Sequence, residues 1–434
     1  MIDRSVARNP IWVTLVSVLC LAGTWLYLQR VLVPYQVEDA AEHDRPRGNL
    51  SDLYPRWLGA RELLLRGRNP YSSEVTREIQ IGYYGRALDP SRPGDPKDQQ
   101  AFAYPVYVVF YLAPTVHLPF AVVQRVFVWV LISLTIASAL LWLRVLGWRL
   151  PWWGQFSAAA FLLGSLATLQ GLKLQQITLF VAPLIAVAVL LLVRGRATLA
   201  GMLLAVATIK PQLVVGLIVW LVIWTLGNWK ARLRWALSFA VAWIVLAAAA
   251  ELLLQHWIPQ FLHAVGEYQS YTGAVPLLDN LLPPPFSRLA QLLAAAAAAC
   301  ACWRIRMAPV GTDAFQAGTC LALSTTLLMV PSYALYNQVL LLPALLLAAR
   351  EGAVWRHRFA PRFLSLAVAI LLSWQWLSAA VLAGLSFLLP APILFKAWAV
   401  PGWTVLTLPV AVTALMLIVV WRTSFQDAPG PIPS

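Results

Sequence analysis

The chain is a succession of uninterrupted apolar runs, roughly 17–28 residues each, separated by short clusters of arginine and lysine. A helix needs about 20 residues to cross the hydrocarbon core of a bilayer, so these runs have spanning length. Sustained apolar/polar alternation is absent, which points to helices and not to barrel strands. Of the 434 residues 60% are apolar and 12% charged, against about 25% charged in a soluble globular domain. A soluble enzyme, a disordered chain and a secreted disulfide scaffold are thereby excluded. The expected fold is an all-α polytopic membrane protein forming a single integral membrane domain over residues 1–434.

The formal net charge is +14. In a membrane protein such an excess reflects cytoplasmic anchors that follow the positive-inside rule, and no nucleic-acid partner is expected. The excess sits in Arg4/Arg8, Arg144/Arg149, Arg194/Arg196, Lys230/Arg232/Arg234, Arg304/Arg306, Arg350/Arg356/Arg358/Arg362 and Arg422. The segment 34–103 differs: it holds eleven of the eighteen acidic residues and ten basic ones, and is nearly neutral. These patterns put both termini in the cytoplasm and 34–103 outside, as the first extracytoplasmic loop of an inner (plasma) membrane protein. The run 11–33 is long for a signal peptide and lacks a small-residue cleavage site, so it is expected to be an uncleaved first span.

Candidate spans are 11–33, 121–143, 152–170, 175–193, 232–254, 286–303, 313–330, 333–349, 362–389 and 403–421, with a shorter pair, 197–208 and 211–226, meeting at Lys210-Pro211. That gives about 12 transmembrane helices, an even number consistent with two inside termini. The run 104–120 is broken at Pro105, Pro114 and Pro119 and is expected to be re-entrant or half-depth. Further outer connections surround Lys173 to Gln176, span 255–285 as another extracytoplasmic loop, and include Pro331 to Gln338. No Walker-type or G-x-G-x-x-G phosphate loop occurs. Within the first loop, 51–67 predicts a helix capped by Ser51 and stopped by Gly67, amphipathic enough to lie in the membrane interface. Residues 86–100 predict a turn-rich mobile loop.

Asp52 stands at the start of that helix, where a carboxylate is either a favourable N-terminal charge or a general base facing a lipid-linked substrate. Lys210 lies between two apolar runs. A lysine there either faces a cavity with an anionic partner or snorkels from a short hairpin. Gln175 and Gln176, with Lys173, either bind sugar hydroxyls or cap a helix mouth. Tyr336, Asn337 and Gln338 form a polar break beside Ser332 and Tyr333. Arg56 and Arg61 share the Asp52 helix, with solvated or headgroup-facing roles expected. The four cysteines, Cys20, Cys300, Cys302 and Cys320, and the five histidines, His43, His117, His256, His263 and His357, show no metal-ligand spacing. The cysteines are expected to be structural thiols and the histidines are uninformative; no cofactor is expected, and the loop acids leave room for a divalent metal without requiring one.

Several blocks occur in an order that resembles glycosyltransferase family 87. They are Asp52-Leu-Tyr-Pro-Arg-Trp-Leu-Gly-Ala60 with Leu65-Arg-Gly67-Arg-Asn-Pro70-Tyr71, then Phe102-Ala-Tyr104-Pro105 with Leu112-Ala-Pro114 and Leu118-Pro119, then Gln176 near Leu169-Gln-Gly171 at a stretched spacing. Ile209-Lys210-Pro211-Gln212 and Pro331-Ser-Tyr333…Tyr336-Asn-Gln338-Val-Leu-Leu-Leu-Pro343 follow. The resemblance implies a GT-C-like fold and transfer of a sugar, mannose or arabinose in known members, from a polyprenyl-phosphate donor. The acceptor would be a glycolipid or polysaccharide, the stereochemistry inverting and the active site extracytoplasmic. It implies Asp52 as general base and donor phosphate or sugar contacts from Lys210, Gln176, Tyr336, Asn337 and Gln338. Arg56, Tyr71, Tyr104 and Glu267 are expected as acceptor or loop contacts. Many members carry an acidic residue or histidine where this chain has Tyr336-Asn337-Gln338, so hydrogen bonding is expected there in place of proton transfer. The competing reading is a transporter or flippase of lipid-linked sugars, which would carry paired broken helices. Only the pair at 197–226 is evident in the sequence. A polymer ligase or assembly component is a third reading and would need no base.

Overall fold

The computed structural model describes residues 10–43, 50–89, 91–92, 94–358 and 362–426, excepting the side chains of 352–358, 362–369 and 425–426. The anchors Arg4 and Arg8 lie outside the described residues, as do the side chains of Arg356, Arg358, Arg362 and His357. Among the described residues all regular structure is helical and there is no strand.

Five stretches are long and apolar enough to cross a membrane: Pro10–Glu42, Phe120–Val145, Trp229–Leu253, Phe286–Arg304 and Ala391–Ser424. A sixth is a bent pair, Trp152–Leu163 and Leu166–Lys173, meeting at 62°. The bend falls where Ser165 starts a new helix, its Oγ accepting from the Thr168 N–H at 3.2 Å. The remaining apolar runs of the sequence appear as shorter helices, among them Thr178–Val193, Ala197–Ala207 and Val215–Gly227. Lengths and composition make this a multi-pass membrane protein. Trp229–Leu253 buries almost none of its apolar surface, and Val241, Ile244 and Val245 are all exposed. Hydrocarbon is the medium that tolerates such a face.

Residues 104–120 hold no helix of spanning length. Val108–Leu112 is followed by a 3-10 turn, Ala113–Thr115, where Pro114 ends the α-helical hydrogen bonding. Val106, Val108, Val109 and Leu112 are fully buried. The segment 255–285, expected as a loop, contains a helix, Trp257–Thr272, that ends in left-handed Gly273.

The main core joins membrane-type helices to the first polar segment. Leu53, Trp57, Ala60 and Leu63 share one cluster with Val181, Ile185, Leu204, Leu217 and Phe315. Ala197–Ala207 packs against Trp229–Leu253 at a distance that only a residue without Cβ permits. A Cβ on Gly201 would stand 2.1 Å from the Trp235 carbonyl oxygen and 2.2 Å from Ser238 Oγ. Small residues at helix contacts bring backbones together in this way where lipid supplies no hydrophobic drive. The same contact sets where Lys210 sits, three residues beyond the end of Ala197–Ala207.

Gly201→Ala is therefore expected to destabilise the protein by about 1–3 kcal/mol, the usual cost of overpacking. Thermal unfolding in detergent, compared with Ala→Gly changes elsewhere on the lipid-facing surface, measures it.

Candidate active site

The first polar segment supplies one wall. Leu53–Arg66 is a helix because Leu53, Trp57, Ala60 and Leu63 line one face and bury together, and Gly67 ends it in a left-handed conformation with φ 63°. Ser51 does not cap this helix with its side chain, contrary to expectation. Its hydroxyl is buried and donates to the Gln175 side chain, while its carbonyl accepts from Tyr54 N–H at 2.8 Å. Arg56 is not solvated either: it is 1% exposed, in the middle of the buried face. Helical spacing puts Arg56 on the face of Leu53 and Ala60, but its residue type argued for the surface. Arg61 is half-buried with its guanidinium 5.2 Å from the Trp57 ring centre.

The break between the bent pair and Thr178–Val193 supplies the second wall. Gln175 holds a positive φ of 49°, a conformation uncommon for a residue with a side chain. It is held there from several sides. Its carboxamide accepts from Ser51 and donates to the Gln124 carbonyl. Gln176 is thereby turned toward the first-segment helix, where its Nε2 donates to Asp52 Oδ2. Its Oε1 lies 3.5 Å from an Arg56 nitrogen.

Lys210 supplies the third. Ala197–Ala207 stops, Pro211 starts a 3-10 turn, and Lys210 between them is 4% exposed. Its Nζ donates to Thr178 Oγ1 at 2.6 Å and Asn337 Oδ1 at 3.3 Å, and lies 4.6 Å from the Tyr336 ring centre. Thr178 Oγ1 passes the chain on to Asn337 Oδ1 at 3.0 Å. No carboxylate comes within ion-pair distance of Lys210 among the described residues.

These walls enclose a cavity of about 350 Å³, a volume that suits a small ligand. Asp52, Arg56, Tyr104, Gln176, Lys210, Tyr336 and Asn337 all line it. Three expected contacts do not. Gln338 is turned away, donating to Tyr333 Oη at 2.5 Å and to the Val405 carbonyl. It follows Asn337 in a tight 3-10 turn, which cannot aim consecutive side chains at one point. Glu267 is exposed, 3.3 Å from His263 one turn away, while its neighbours Tyr268 and Gln269 face the cavity. Tyr71 stands behind the wall, its hydroxyl donating to the Tyr104 carbonyl at 2.5 Å.

Sequence reasoning missed Asp98, Gln100, Gln212, Tyr268 and Gln269, which also line the cavity. Asp98 lies in the segment expected to be mobile. That segment is pinned by Arg86 gripping Asp95, and by Asp98 itself, whose carboxylate accepts from Gln100 N at 2.9 Å and Gln100 Nε2 at 3.0 Å. Nothing in the local pattern distinguished Asp98 from the turn acids around it. Burial pushes the Asp52 carboxyl up from its ordinary value to about 6, and Asp98 adds to the rise, while Arg56, Lys210 and the Gln176 hydrogen bond pull it down. Asp98 is itself raised by burial. Among the described residues no three His, Cys, Asp or Glu side chains gather as a metal site.

A cavity that pairs a raised carboxylate with a buried, carboxylate-free lysine suits chemistry in which a proton is accepted on one side and negative charge develops on the other. Comparison with known proteins gives one finding: the model of glycosyltransferase family 87 matches residues 102–331, more than half of the chain. The match covers Tyr104, Gln176 and Lys210, begins after Asp52 and Arg56, and ends before Tyr336. No curated protein and no solved structure matches.

A carboxyl titrating near 6 in the fold and near 3.8 when unfolded favours the folded state while protonated. That contribution is complete below about 3.8 and lost as pH rises through about 6. Asp52→Asn removes the ionised form and keeps an acceptor for Gln176. It is expected to match wild type below pH 4 and to exceed it by at most about 3 kcal/mol above pH 7. Unfolding in detergent across that range checks the sign.

Proposed function

Since the chain belongs to glycosyltransferase family 87 and is a membrane glycosyltransferase, we propose that it moves a sugar from a polyprenyl-phosphate donor to a hydroxyl of a glycolipid or polysaccharide, with Asp52 as general base. The observation that carries the proposal is the meeting of Asp52 and Lys210 in one cavity, although one comes from the first polar segment and the other from a break between apolar helices.

In this scheme the acceptor oxygen attacks the anomeric carbon from the Asp52 side. Its proton passes to the Asp52 carboxylate, and the bond from the anomeric carbon to the phosphate oxygen breaks, with the electron pair leaving on the phosphate. Attack opposite the leaving group inverts the anomeric centre. A base with a pKa of about 6 is mostly ionised at neutral pH and accepts a proton more readily than an ordinary carboxylate. Lys210 would offset charge developing on the leaving phosphate. Its partners Thr178 and Asn337 fix the ammonium before the ligand arrives, so little reorganisation is needed during the reaction. Amides of Gln100, Gln176 and Gln269 offer both donors and acceptors to sugar hydroxyls. The polyprenyl tail would leave past Phe261, Leu262 and Val265, the apolar part of the lining. The scheme puts the cavity on the extracytoplasmic side of a plasma membrane, with the termini inside and about twelve passes in a GT-C-like arrangement. It calls for no metal or other cofactor.

The alternative, a flippase for lipid-linked sugars, has one observation in its favour. The 62° bend between Trp152–Leu163 and Leu166–Lys173 gives a second broken segment beside the one at Lys210, and paired breaks are a transporter feature. A flippase needs no proton acceptor, so one substitution separates the readings.

With purified protein and synthetic polyprenyl-phosphate mannose, arabinose or glucose, Asp52→Asn is expected to lower release of lipid phosphate by about 10²–10⁴-fold while donor binding persists. Retained turnover removes Asp52 from the mechanism, and movement of the intact donor across vesicles without phosphate release selects the flippase. In wild type, kcat/KM is expected to fall tenfold per pH unit below about 6 and to level off above it. A profile flat from pH 4.5 to 8 contradicts a carboxylate base.

A further inference from the structure

Arg56 is a buried basic side chain with no direct ion-pair partner, although its charge reaches Asp52. It is 1% exposed, yet among the described residues no carboxylate lies within 4.0 Å of its guanidinium. Its Nε has no hydrogen-bond partner. Its contacts to the Gln175 carbonyl and Gln176 Oε1 are both 3.5 Å, at the far edge of hydrogen-bond geometry. Burying an unpaired charge costs several kcal/mol, so a protein that keeps one generally has a use for it.

The side chain is also held in place. The Tyr104 ring centre lies 4.7 Å from Arg56 Cζ, which restricts where the fork can lie. Tyr71 in turn fixes Tyr104 by donating to its carbonyl. Arg56 lines the same cavity as Lys210, so two basic side chains without a carboxylate at ion-pair distance share one small space. A single developing negative charge needs one of them. A phosphate bearing one charge as a diester and two as the released monoester accommodates both, and a planar guanidinium engages two of its oxygens at once.

We propose that Arg56 is a phosphate-binding residue, its fork engaging two oxygens of an isoprenoid-borne phosphate that Lys210 contacts from the other side. This rests on the polyprenyl-phosphate reading of the site. It assigns to the first polar segment a grip on the donor in addition to Asp52, one turn away on the same helix.

The test uses the full chain in detergent with farnesyl phosphate, farnesol and inorganic phosphate as probes. Wild type is expected to bind farnesyl phosphate at least tenfold more tightly than farnesol. Arg56→Gln should erase most of that discrimination and leave farnesol binding unchanged. Arg56→Lys, which keeps the charge and loses the fork, should retain less than a third of it. Inorganic phosphate at matched concentration separates a lipid-borne from a free phosphate; tight binding of the free ion, with farnesyl phosphate no better, overturns the isoprenoid assignment. If Arg56→Gln does not fold, Arg56→Lys decides, and undiminished discrimination in it overturns the fork. Discrimination that depends on Arg56 in a protein that transfers no sugar would refute the transferase reading and keep this one. Transfer with an unaltered donor KM in Arg56→Gln would do the reverse.

Discussion

Docking of the first polar segment into the helical core is the constraint on which the rest of this structure depends. Leu53, Trp57, Ala60 and Leu63 bury with residues of the apolar helices, and fully burying a leucine is worth about 1.5–3 kcal/mol. That burial carries Asp52 and Arg56 into the protein, where neither would go alone. Ser51 and Gln175, joined through their side chains, set the depth. A segment that reads as a surface loop by composition becomes one wall of a cavity in the helical core.

Electrostatics then gives the cavity its character. Two cations and two carboxylates line it, and none of the four is paired at ion-pair distance with another. Amides and hydroxyls stand between them: Gln176 beside Asp52 and Arg56, Thr178 and Asn337 beside Lys210. Neutral dipoles can hold charges apart without cancelling them, which leaves each charge available to a ligand. Direct Asp–Lys or Asp–Arg pairing would have given a more stable and chemically inert interior. Burial is the first cause of the raised Asp52 pKa, and the lack of a direct cationic partner leaves that rise in place.

How far the sequence carried the site depends on how local each signal was. Lys210 was legible because a lysine between two apolar runs is costly anywhere in a membrane. Asp52 was legible because it opens a helix at the head of an ordered block. Arg56, three residues inside that helix, was misjudged, since arginine is ordinarily a surface residue and only tertiary packing covered it. Asp98 was invisible, one acid among several in a turn-rich stretch, until the chain folded back. Gln338 and Glu267 stay out of the cavity lining for a different reason. They adjoin cavity residues in sequence, but helical geometry sends neighbouring side chains in different directions.

The fold class and the polar chemistry of its breaks were determined by the sequence itself, because membrane insertion is decided by the apolar content of each run and by the charges between runs. Helix length was less fixed. The stop of Ala197–Ala207 was legible at Lys210-Pro211, whereas the bend at Gly164-Ser165, inside a run read as one span, was not. The meeting of Asp52, Arg56, Gln176, Lys210 and Asn337 was decided only in three dimensions. Each comes from a different part of the chain or a different helical turn, and no periodicity within a run specifies which breaks will face one another.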